Sequence, residues 1–85
     1  MKEDAPVSTM RNLGPISAQW LNNVGILTAA DLAHFGSVIA FRIVKESGCP
    51  ASLNLLYALE AALRDMDWRE LDGAEKDRLR RESGV

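Results

Sequence analysis

Residues 11–32 read RNLGPISAQWLNNVGILTAADL, and the punctuation of this stretch decides the fold class. Pro15 suits the first position of a helix, where its missing N–H costs nothing. Ile16, Trp20 and Val24 recur at i, i+4 and i+8 with Leu21 alongside, which predicts one buried stripe. Gly25 is placed to end that helix. Thr28 then caps a second helix, with Asp31 three residues on completing a capping-box pair. Leu32 and Phe35 are expected to turn inward, and Gly36 to stop the segment. Two short helices joined by a tight turn open an all-α fold.

The same grammar continues outward. Ser37 is expected to cap a third helix, VIAFRIVKES (38–47), closed by Gly48 and the Cys49-Pro50 step. Ser52 opens the longest apolar segment, LNLLYALEAALRDM (53–66), with Leu56, Leu59, Leu63 and Met66 at 3-4-3 spacing. Leu55 and Ala62 widen that stripe, so this helix is expected at the centre, touched by all the others. A turn at 67–72 follows, and Asp72 with Glu75 repeats the capping-box pattern before a last, charged helix. The expectation is a single small all-α domain of about five short helices over residues 9–85, preceded by a flexible lead-in at 1–8.

Composition bounds the function. The chain has 85 residues, 47% of them hydrophobic and 26% charged, which suits one folded domain with one core. No apolar run reaches membrane-spanning length, and MKEDAPVSTM lacks the apolar core of a signal peptide. A cytoplasmic location without membrane contact is expected. A net charge of −2 argues against a protein that lives on the nucleic-acid backbone, where neutralising phosphates supplies much of the affinity. Charge is uneven: Asp31 stands alone between Asn12 and Phe41, whereas 13 of the 19 residues from Arg64 to Glu82 are charged.

Catalytic chemistry finds few parts. His34, the single histidine, precedes Gly36 near a helix end and has no recognisable nucleophile or orienting partner. Cys49 lies beside a proline with no activating base in view, so a structural thiol is expected. Asp65 and Asp67 are two apart and share no helix face as a metal pair would. No enzyme activity, metal or cofactor is expected. Trp20 reads as core, and Trp68 as folding back over the core edge. Arg78, Arg80 and Arg81 form the one basic cluster, a candidate partner face, although Glu75, Asp77 and Glu82 interleave with it as on a solvated helix.

The Gly-Pro step carries a sharper candidate. In a helix–hairpin–helix element a Gly-x-Gly turn aims backbone N–H groups at a DNA phosphate. Gly14 fits the second glycine, Ala18 the small packing residue, and Asn12 stands where the first glycine would be. Asparagine tolerates the left-handed backbone such a turn needs. The candidate phosphate contacts are the amides of Leu13, Gly14, Ile16 and Ser17, with Arg11 as the nearest cation. The plain alternative is a scaffold turn.

Two longer blocks, MRNLGPISAQWLNNVGILTAADLAHFGSVIAFRIVK (10–45) and SLNLLYALEAALRDMDWREL (52–71), resemble the C-terminal domain of the TfoX/Sxy family of bacterial competence regulators. The distinctive pieces are Asn12-Leu13-Gly14-Pro15, Val24-Gly25-Ile26, the block from Leu55 to Glu60, and Trp68 with Leu71. The resemblance implies a helical, helix–hairpin–helix-like fold and a part in transcriptional control of DNA-uptake genes, where such proteins act with the cyclic-AMP receptor protein. It also implies an additional N-terminal domain in full-length members. Many members carry a basic residue after the Gly-Pro step, where this chain has the uncharged Ile16. The expected function is a non-enzymatic regulatory module. It would act through a protein partner (transcription machinery or a TfoX-type N-terminal domain) and through weak, sequence-independent DNA binding. The alternative is a structural module that forms a homodimer and has no nucleic-acid role.

Overall fold

The computed structural model describes residues 5–84. Four α-helices follow one another: α1 (Pro15–Asn23), α2 (Ala29–Glu46), α3 (Leu53–Leu63) and α4 (Gly73–Ser83), with 3-10 turns at Val7–Thr9 and Trp68–Glu70. No strand occurs among the described residues, so the all-α class holds. Nor is any described helix long and apolar enough to cross a membrane.

Each boundary has a local cause. Pro15 occupies the first turn of α1. At the other end Gly25 takes φ 86°, and Ile26 N–H donates to the Leu21 carbonyl at 2.9 Å, a Schellman closure. Thr28 and Asp31 form the expected capping box at the start of α2, and Asp72 and Glu75 form the one at the start of α4. Within α2, Gly36 leaves the helical region at φ 82°, ψ 165°, so the two helices expected on either side of it share one kinked rod. Ser37 does not cap the second half. It is buried, and its Oγ donates to Glu60 Oε1 of α3 at 2.7 Å. Ser52 stands at the start of α3 without a side-chain cap bond.

The core lies chiefly between α2 and α3, where Leu32, Phe41 and Val44 meet Leu56 and Leu59, all fully enclosed. Leu79 brings α4 onto it, and Leu71 anchors the segment just ahead of that helix. Helix α1 packs chiefly on the first 3-10 turn and on α2. The buried stripe of α1 is corrected. Ala18 and Leu21 face inward, with Leu13 buried just ahead of the helix, while Ile16 is 64% exposed. Ala18 is small enough for a close approach, and rotating the helix to it turns Ile16 outward. Phe35 also points to solvent, because the kink at Gly36 ends the inward face begun by Leu32.

The flexible lead-in is corrected for residues 5–8; residues 1–4 lie outside the described residues. Val7 is buried, its N–H donates to Leu27 O at 3.0 Å, and Ala29 N–H donates to Ala5 O at 2.8 Å. Pro6 and Thr28 thus form an isolated antiparallel bridge. These residues close the turn between α1 and α2.

Candidate functional site

Asn12 governs the stretch singled out from the sequence. Its φ is 71°, the left-handed backbone the hairpin requires. Both ends of its side-chain amide are engaged: Nδ2 donates to Met66 O at 2.7 Å, and Oδ1 accepts from Trp68 N–H at 3.1 Å. Arg11 Nη1 donates to Asp65 O at 3.1 Å. The turn is therefore tied to the loop after α3, where Asp65 takes φ 53° and Met66 N–H donates to Ala61 O in a second Schellman closure. Among the described residues, the single 3-10 turn Val7–Thr9 stands where a helix–hairpin–helix would have a full preceding helix. Replacing Asn12 with glycine keeps the backbone conformation and removes both side-chain bonds. Asn12→Gly is expected to lower stability by about 1–2 kcal/mol in urea unfolding.

The structure sorts the candidate phosphate contacts. Leu13 is buried and its N–H already donates to Met10 O at 3.3 Å. Gly14 serves as the N-cap of α1, and Ile16 and Ser17 lie in its first turn, whose amides have no partner within the helix. Arg11 is drawn away toward Asp65. Ile16 and Ser17 instead border a cleft of about 400 Å³ between α1 and α3. Trp20 lines the α1 side and Ser52, Leu55 and Ala58 line the α3 side, with Trp68 and Asn12 at one end; no charged side chain lines it. This cleft was not legible from sequence, since its walls are 52 residues apart between Ile16 and Trp68.

Trp68 lies at the domain's edge. It is 40% exposed, and Lys76 Nζ of α4 lies 5.5 Å from its ring and 5.5 Å from the ring of Tyr57. Trp20 packs half-buried against the core. A second, smaller hollow of about 260 Å³ lies beside the exposed Phe35 and Ile39, bordered by Glu60, Arg78 and Glu82.

Two members of the basic cluster on α4 are paired with acidic side chains of the domain. Arg78 Nη1 meets Glu82 at 3.1 Å and its Nη2 reaches Glu60 at 3.6 Å; Arg80 pairs with Asp77. Arg81 is exposed. Arg64 completes the network, bonding Glu60 at 2.8 Å and Glu75 at 2.6 Å. His34 stacks edge-on against Phe35, and Cys49 Sγ lies 3.4 Å from Ser47 Oγ. No group of acidic, cysteine or histidine side chains that could hold a metal occurs among the described residues.

The capping carboxylates set the acid response. Hydrogen bonds from the N–H groups of Leu27 and Thr28 hold the Asp31 carboxyl below its ordinary 3.8. The Arg64 guanidinium and the Asp72 N–H hold Glu75 below its ordinary 4.5. Arg69, through its side chain and its N–H, holds Asp67 well below the usual carboxylate range. A depressed folded value adds stability above the unfolded value and loses it as pH falls through the folded one. The thermal midpoint is therefore expected to be level between about pH 5 and 7 and to fall as the pH drops below about 4.5. A calorimetric pH series checks this, and Asp31→Asn should flatten part of the fall.

Residues 3–83 match the model of the TfoX C-terminal domain. None of the curated proteins matches the chain. Two solved structures from Listeria monocytogenes are similar: one of an uncharacterized protein in a triclinic form, one of a protein of unknown function in a tetragonal form. The first is 36% identical with a TM-score of 0.84, over 89% of this chain and 86% of that one. The second is 33% identical with a TM-score of 0.84, over 92% of this chain and 96% of that one.

Proposed function

This chain belongs to the TfoX C-terminal domain family, and from that membership we propose that it is a non-catalytic regulatory module acting in transcriptional control through protein contacts. The observation that supports contact with a protein is the surface. Ile16, Leu27, Phe35, Ile39 and Trp68 stay 40–64% exposed, well outside the enclosed core. Large apolar side chains grouped beside hollows mark docking surfaces. Ile16 and Trp68 flank the α1–α3 cleft, and Phe35 and Ile39 border the smaller hollow. The test is transcript profiling in the native host after deletion of the gene, with the wild-type chain restored as control. Altered and restorable transcript levels are expected; an unchanged profile overturns the reading.

A second reading, a weak DNA contact at the hairpin, is favoured by the left-handed Asn12 and the open first turn of α1 at Ile16 and Ser17. Fluorescence anisotropy with duplex DNA at low salt, with Arg11→Glu as control, decides it. Absence of binding at high micromolar protein removes it.

A further inference from the structure

The α1–α3 cleft ends at Trp68, and the Trp68 side chain is held from outside the cleft. Its backbone is fixed by the Asn12 bond, but its ring is not enclosed by the core. What lies against the ring is a charge: Lys76 Nζ, 5.5 Å from the Trp68 centroid and 5.5 Å from that of Tyr57. Both distances fall within the range where an ammonium is attracted to a ring face. Tyr57 comes from α3, Trp68 from the following 3-10 turn and Lys76 from α4, so one ammonium bridges three elements. We propose that Lys76 is a charge-operated clasp, in which the ammonium held between Tyr57 and Trp68 fixes the Trp68 wall and thereby sets the width of the α1–α3 cleft.

The clasp follows from the charge rather than from the length of the side chain. An uncharged side chain of similar size loses the attraction to both rings and keeps the packing. Trp68, 40% exposed, then moves more freely, because the attraction that held the outer face of its ring is gone. Removing the charge at position 76, by substitution or by acylation of the amine, would switch the cleft from a fixed shape to an adaptable one. The inference rests on reading this cleft as a docking surface, but its test does not involve transcription.

The full chain is labelled with 5-fluorotryptophan, and the two indole signals are assigned with Trp68→Phe. Fluorine NMR then compares wild type with Lys76→Met, Lys76→Arg and a chain carrying Nε-acetyllysine at position 76. Lys76→Met and the acetylated chain should shift and broaden the Trp68 signal, leaving the Trp20 signal in place. Lys76→Arg should resemble wild type. The affinity of the cleft for anilinonaphthalene sulfonate, used as an apolar probe, should change by about two- to fivefold in the uncharged variants. An unmoved Trp68 signal in Lys76→Met overturns the clasp, as does an equal response from Lys76→Arg. A change in both tryptophan signals together would mean general loosening and would also overturn it. Normal transcripts after gene deletion would remove the regulatory reading while leaving this result intact.

Discussion

Phe41→Ala is expected to remove about 3–5 kcal/mol of folding stability. Phe41 is fully buried in the second half of α2, within the interface that α2 makes with α3. Deleting its ring leaves a void among side chains that other helices hold in place, so the loss includes a cavity on top of the lost transfer energy. A domain of this size has roughly 5–15 kcal/mol in total. The variant should therefore show a much lower urea midpoint and a collapsed thermal midpoint. A loss below about 1 kcal/mol would mean that the α2–α3 interface repacks freely, contrary to the close packing of protein interiors.

Glu60→Ala comes next, at an expected loss of about 2–3 kcal/mol. The Glu60 side chain is only 16% exposed and serves three partners: the buried Ser37 hydroxyl, Arg64 and Arg78. The two arginine pairs lie toward solvent and add little each. The larger share comes from Ser37, whose hydroxyl would be left buried without an acceptor. Glu60→Gln keeps an acceptor for Ser37 and should recover about half of the loss. Equal losses in the two variants would show that charge outweighs the hydroxyl. Chemical unfolding of both, with Ser37→Ala as the partner in a double-mutant cycle, measures the coupling directly.

The helix boundaries were readable because they depend on residues adjacent in the chain. Proline at the start of α1 and the Thr28–Asp31 and Asp72–Glu75 pairs act over three or four residues, and each does so in the structure, whereas the glycine at position 36 kinks α2 instead of ending it. Which face each helix buries was less readable. Ile16 and Phe35 have the spacing of core residues, yet packing against Ala18 and the kink at Gly36 turn them outward. Ser37 and Arg78 illustrate a different limit. Their residue types suggest a cap and a basic face, but Glu60 on another helix claims both. The cleft was beyond sequence reading altogether, since its walls meet only after α3 has folded against α2.

The bonds of Asn12 also have a consequence in time. Its amide joins positions 54 and 56 residues downstream. The hairpin at the front of the chain thus completes its fixings only after nearly the whole domain has left the ribosome. Until then residues 11–14 lack their partners, and closing so long a loop is repaid only by an assembled α2–α3 core. The Asn12 bonds should therefore form after the main barrier to folding. Losing them would speed unfolding while leaving the folding rate nearly unchanged. In a newly made chain, the surface around Ile16 takes its final shape last.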